Sequence, residues 1–192
     1  KIGNDKDYRD LFKTVYGDPL ITPDRLTKAL AQFTGFMVSA NSKYDNVKKG
    51  TAVFTAAEDR GYVLFKNKCA TCHPEPMFTD YSYRNTGLPV DPFLKDYGRM
   101  QVTNKREDSL KFKVPTLRNV VFTSNYMHDG RFGTLAQCLE HYRTGVQAGP
   151  ALDPLLSSGI ALTNTETADV ISFLKTLSDS SFIKDIRFAK PL

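Results

Sequence analysis

Apolar side chains recur at helical spacing in separate stretches of the chain, and turn residues divide those stretches. Tyr8, Leu11, Phe12, Val15 and Tyr16 make one stripe over residues 8–16, and Gly17-Asp18-Pro19 ends it. Thr22-Pro23 then reads as an N-cap followed by the first helical residue. Leu26, Leu30, Phe33 and Met37 follow on one face, so a second amphipathic helix is expected to about Val38. Residues 41–54 are charged, contain Gly and read as a connection. Thr55-Ala-Ala-Glu58 is a capping box. The helix behind it carries Gly61, Leu64 and Phe65 on one face and runs into Cys69. Gly at mid-helix costs stability, and its expected return is the close approach of another helix. Leu135, Cys138, Leu139 and Tyr142 stand at i, i+3, i+4 and i+7, which turns Tyr142 inward with them. His141 is then rotated roughly 100° away on helical geometry. A second capping box, Thr163-Asn-Thr-Glu166, opens a last helix with Thr167, Val170, Ile171, Leu174 and Leu177 in one stripe.

Residues 76–134 break this pattern. They are rich in Pro, Gly, Tyr, Asn and Asp and have no sustained period. Irregular chain of this kind suits the wrapping of a cofactor that supplies its own apolar core. Just before it stands Cys69-Ala-Thr-Cys72-His73, the C-x-x-C-H spacing of c-type haem attachment. Two thiols three positions apart reach two vinyl groups of one porphyrin, and His73 then offers a neutral imidazole nitrogen to the iron. A redox disulfide competes, but no βαβ pattern surrounds the motif. Zinc competes too, with only Cys138, His128 and His141 left as further soft donors at no common zinc spacing. The predicted class is all-α: a helix opening into the attachment motif, a last helix crossing it at a small residue, and long loops between, as in class I cytochromes c.

Length and composition narrow the setting. The 192 residues suffice for one domain, or one domain and part of another. Net charge is +5 without any basic run of the nucleic-acid type; Lys43, Lys48 and Lys49 read as a solvated local cluster, with a docking patch for an acidic redox partner as the alternative. With Cys69 and Cys72 on haem, Cys138 is left as a buried, inert thiol. Haem c is attached after export, so a periplasmic or exported setting is expected. No apolar run is long enough to span a membrane, and no signal peptide is present. The first residue is not Met, so a mature form or a piece of a longer precursor is expected.

Three segments carry a resemblance: Phe78-Thr-Asp-Tyr-Ser-Tyr-Arg-Asn-Thr-Gly-Leu-Pro89, Lys111-Phe-Lys-Val-Pro-Thr-Leu-Arg-Asn119 and Tyr126-Met-His-Asp-Gly-Arg-Phe132. In kind and order they resemble the C-terminal haem domain of bacterial di-haem cytochrome c peroxidases and the related MauG proteins. Residues 10–40, with Ile21-Thr-Pro and Ala29-Leu-Ala-Gln-Phe33, resemble the stretch that closes the family's first domain. The resemblance implies that 1–50 is the tail of an N-terminal haem domain, 51–180 a cytochrome c-like haem domain, and 181–192 a C-terminal tail. It implies one haem c here and a second in the absent N-terminal half, where the family reacts with hydrogen peroxide. The family's inter-haem tryptophan has no counterpart, since the chain has no Trp.

The resemblance also bears on the ligand opposite His73. Bare spacing favours Met127, 54 residues downstream (127 − 73), as class I cytochromes often have it. Counting forward from His128, the His of the family's His-x-Gly segment, places the peroxidases' ligand position on Tyr142, which is Tyr in the MauG branch. Tyrosinate, a hard anionic donor, would stabilise ferric and higher-valent iron. Both residues stay open, as does a haem with no protein ligand there. Arg118 is a candidate partner for a haem propionate. The family's Ca²⁺ site, built from backbone carbonyls, falls on Thr123 and Asn125. The leading reading is the C-terminal electron-transfer haem domain of a di-haem peroxidase or MauG-like oxidase that acts on hydrogen peroxide. Its electrons would come from a small redox protein or a quinol-linked donor, and a homodimer fits the family. The alternative is a mono-haem electron carrier without catalysis, and a second C-x-x-C-H upstream of Lys1 separates the two.

Overall fold

The computed structural model describes residues 2–189, which form two compact units, 2–39 with 184–189, and 40–183. The first unit holds α1 (Lys6–Tyr16) and α2 (Pro23–Phe36). Asp5 caps α1 by accepting from the Asp7 and Tyr8 amides, and Gly17 ends it in the left-handed region. Thr22 caps α2 with Pro23 at its first position, as the sequence indicates. The helix stops at Phe36 rather than Val38, because Met37 leaves helical geometry. Phe12 packs on Tyr16, and the Phe188 ring from the end of the chain meets Phe33 and Phe36 edge-on at 6.3 and 6.1 Å.

The second unit contains α3 (Lys43–Lys48), α4 (Ala56–Lys68), α5 (Met100–Thr103), α6 (Leu135–Glu140), α7 (Asn164–Lys175) and α8 (Ser180–Ile183). Two short strands, β1 (Tyr83–Arg84) and β2 (Phe112–Lys113), pair antiparallel. The class is all-α, with this ribbon inside the irregular middle. Both expected capping boxes form, at Thr55 with Glu58 and Thr163 with Glu166. α7 crosses α4 at Gly61, where a Cβ would fall inside the Asp169 carbonyl. That contact is the return on the mid-helix glycine. Phe65, Phe78, Phe173 and Leu177 are fully buried at the crossing, and Tyr44 and Tyr62 extend the same aromatic cluster.

Residues 41–54 do more than connect. Ser42 and Asp45 form a third capping box that starts α3, and Tyr44 enters the core with its ring 5.0 Å from Phe78. The compact unit accordingly begins at Ala40. Asp45 is also the partner of Arg118, whose Nη1 and Nη2 donate to the carboxylate at 3.0 and 2.9 Å. Both side chains are about nine-tenths buried. Arg118 Nε donates to the Pro76 carbonyl, which ties the irregular middle to α3. Removing one partner strands a buried charge, so Arg118→Ala should lower the unfolding free energy by about 3–5 kcal/mol in urea titrations.

A second correction concerns α6. The α-helix ends at Glu140, and His141–Gly145 form a π-turn. His141 is not turned out to solvent: it is buried, and its Nε2 donates to the Thr86 carbonyl at 2.8 Å. The wider turn reduces the angle between His141 and Tyr142, so the two side chains lie nearer to one face than α-winding would place them.

Candidate functional site: a cavity around the attachment motif

α4 delivers the motif. Its last turn ends at Cys69, whose amide still donates to the Phe65 carbonyl, and the amides of Cys72 and His73 donate back to the Cys69 carbonyl in one tight turn. The turn presents Cys69, Cys72 and His73 on the wall of a cavity of about 1120 Å³, larger than the ordinary range for small-molecule sites. Leu110, Leu135, Leu139, Leu162, Val170 and Leu174 are among the apolar side chains that line it. All three cysteines are free thiols. Burial pushes the Cys69 thiol up to about 12, with the neighbouring Cys72 adding to the shift. Among the described residues, no group of three or more His, Cys, Asp or Glu side chains gathers as a metal site.

His73 is held by its back nitrogen. Nδ1 lies 2.9 Å from the Phe78 carbonyl, so Nδ1–H donates and Nε2 keeps its lone pair. A carbonyl fixing the tautomer and ring orientation is the usual support of a metal-binding imidazole. Burial holds the His73 pKa below its ordinary value, keeping the ring neutral. Cys72 is braced from below. Its carbonyl accepts from the Asp80 amide, and Asp80 and Asp153 both bind Arg84 at 2.7 Å.

Burial would raise the Asp80 carboxyl, but hydrogen bonds from Arg84 and Ser82 outweigh it and bring it to about 2. A folded-state value below the ordinary 3.8 makes this group's stabilisation complete above that value. It is lost as pH falls through about 2. Urea midpoints should therefore decline between pH 4 and pH 2, and Asp80→Asn should flatten that part of the slope.

Tyr142 and Met127 both lie in the lining of the same cavity. Tyr142 follows α6 in the π-turn and is half-buried. Its phenol pKa is raised first by burial and then by the sulfurs of Cys138, Cys72 and Cys69. Met127 sits at φ +66° in the loop closed by Tyr126 and Phe132. His128 lies on that loop, half exposed, with Nε2 2.8 Å from Asp96 and its ring stacked on Phe112. Thr123 and Asn125 are exposed on the turn before it, and the Asn125 amide donates to the Gly130 carbonyl. Arg118 borders the cavity with its guanidinium committed to Asp45. Cys138 is buried one turn before Tyr142.

The donor set fits a covalently held haem. Two thiols, one oriented neutral imidazole and the Tyr142 phenol line one largely apolar cavity. Sequence reasoning found these residues but not their supports. The Phe78 carbonyl, the Asp80–Arg84–Asp153 brace and the His141 tether lie in segments without periodicity, and backbone acceptors leave no residue-type signal.

Known proteins resemble the chain throughout. A family model described as di-haem cytochrome c peroxidase matches residues 1–53. The cytochrome c551 peroxidase of Nitrosomonas europaea is 35% identical over 175 residues, covering 89% of this chain and 49% of that protein. The methylamine utilization protein MauG of Methylophilus methylotrophus is 33% identical over 180 residues, covering 88% and 51%. The crystal structure of a MauG-like protein associated with microbial copper homeostasis superposes with a TM-score of 0.84 at 30% identity, over 99% of this chain and 63% of that one. The diheme peroxidase BthA of Burkholderia thailandensis, at 21% identity and a TM-score of 0.67, shares the fold. The chain spans about half the length of the curated relatives it matches. A cytochrome-type attachment turn on a haem-sized apolar cavity, and relatives of one kind along nearly the whole sequence, converge on one conclusion: the chain belongs to the di-haem cytochrome c peroxidase and MauG family.

Proposed function

We propose that residues 40–183 are the C-terminal electron-transfer haem domain of an exported di-haem peroxidase or MauG-like oxidase, and that 1–39 closes a preceding haem domain. The observation that carries this reading is the placement of Cys69, Cys72, His73 and Tyr142 in the lining of one cavity, with His73 oriented by the Phe78 carbonyl. The family implies haem c, whose iron supplies one-electron oxidation and reduction. The chain's own residues do the rest. Cys69 and Cys72 hold the porphyrin through thioethers. His73 offers Nε2 while the Phe78 carbonyl keeps its proton on Nδ1. Tyr142 would offer its phenol oxygen to the iron, and its desolvated site makes ionisation dependent on a cation at that point. The apolar wall excludes water. In the longer protein this domain stores or relays an oxidising equivalent for a second haem that meets hydrogen peroxide, with electrons from a small redox protein or a quinol-linked donor. Among the described residues, no helix is long and apolar enough to cross a membrane.

The test is spectroscopic, on protein matured with its haem. Tyr142→Phe should abolish a phenolate-to-iron charge-transfer band and raise the reduction potential, because an anionic ligand stabilises ferric iron. Met127→Leu should leave both unchanged. Loss of a near-infrared sulfur-to-iron band in Met127→Leu alone would assign the sixth ligand to Met127 and make the domain an ordinary His/Met electron carrier.

A further inference from the structure

We infer that His141 is a positioning residue for the Tyr142 oxygen, acting through the π-turn that both residues share. The inference rests on Tyr142 as the ligand opposite His73. In a continued α-helix the Tyr142 carbonyl would accept from residue 146. Here Val146 is extended, and the Tyr142 carbonyl instead accepts from the Ile160 amide at 2.7 Å. The Tyr142 carbonyl is therefore held from outside the turn. On its other side the segment Asn85–Gly87 serves as a fixed edge. His141 Nε2–H donates to the Thr86 carbonyl at 2.8 Å, and the Gln147 amide donates to the Gly87 carbonyl at 2.9 Å. That edge is itself anchored, since Asn85 Nδ2 donates to the Ser109 carbonyl and the Asn85 carbonyl accepts from the Asp153 amide.

His141 is thus the one side chain that ties the start of the turn to this edge. Its ring is 5.5 Å from the Tyr142 ring and 5.9 Å from Phe132, so it also fills the space behind the phenol. Gly145 completes the arrangement: a Cβ there would stand 2.9 Å from His141 Nδ1, so a larger residue would have to displace the imidazole. Residues adjacent in sequence are thus both engaged inside the unit, one to bind and one to hold, and the wider π-turn brings them closer to one face than α-winding would.

The experiment uses the holoprotein with covalent haem, with haem content and near-ultraviolet circular dichroism confirming the fold of each variant. His141→Phe keeps the bulk and removes the donor. It should lose most of the phenolate-to-iron band and produce a high-spin ferric fraction in the electron paramagnetic resonance spectrum. His141→Gln, whose amide can donate to the Thr86 carbonyl, should recover part of the band. Gly145→Ala, which keeps both residues in the sequence but crowds the His141 imidazole, should shift the spectrum in the same direction as His141→Phe. A wild-type band that survives unchanged in His141→Phe and Gly145→Ala overturns the inference while leaving Tyr142 as ligand. A wild-type protein with no such band removes the ligand and the inference together.

Discussion

Cys69→Ala with Cys72→Ala is expected to leave no haem on the chain after denaturation. The measurement is acid–organic extraction and haem staining of a denaturing gel, on protein exported through an attachment system. Wild type should keep all its colour with the polypeptide and the double variant none; equal retention by both would remove these two thiols from the attachment chemistry. The consequence reaches beyond colour. The cavity is about 1120 Å³, and the irregular chain from 76 to 134 supplies much of its wall. Without the porphyrin, side chains such as Leu110, Leu117 and Val120 face a void or water. An apolar wall deprived of contacts loses both dispersion and burial energy. Hydrogen exchange in the double variant should therefore accelerate most through 76–134 and less in α4 and α7, which also pack on each other at Gly61.

The second large effect is expected at Gly61. Its obstacle is the Asp169 carbonyl on α7, so an added side chain meets backbone rather than a flexible side-chain end. Gly61→Ala should cost on the order of 3 kcal/mol, the upper end for overpacking, because neither helix can yield without opening the Phe65–Phe173 contact. Gly61→Leu should leave the 40–183 unit without a cooperative urea transition. Gly149→Ala is the control: a Cβ there meets nothing within 4 Å, so its midpoint should stay near wild type. Equal midpoints for Gly61→Ala and Gly149→Ala would show that α7 does not depend on this approach.

Much of this was legible where the chain obeys a period or a spacing. α4 and α7 begin at Thr–x–x–Glu boxes, and the attachment motif needs no fold to be recognised. What lay beyond reach depended on partners distant in sequence. α3 begins at Ser42 with Asp45 as its box partner, a weaker form of the same signal. Its burial arises from Arg118, 73 positions away, and from the Phe78 ring. The π-turn was also hidden. The apolar spacing of Leu135, Cys138, Leu139 and Tyr142 fits an α-helix, and only the outside hydrogen bonds from Ile160 and to Thr86 change the winding. Arg118 illustrates the limit for charge. A guanidinium near a haem site is a reasonable propionate partner, but a buried carboxylate at 2.9 Å already engages it.

The return of Phe188 to α2 makes residues 184–189 part of the first unit, so that unit is discontinuous and the haem-type unit is an insertion in it. The polypeptide crosses between the units twice, near 39/40 and near 183/184. A single proteolytic nick at the first crossing would therefore leave its two fragments associated through Phe188 and Arg187 against α2, and only a second nick would release the inserted unit. Shortening the chain to Ile183 would have a cost that falls at the far end of the sequence: α2 would lose the aromatic cover on Phe33 and Phe36.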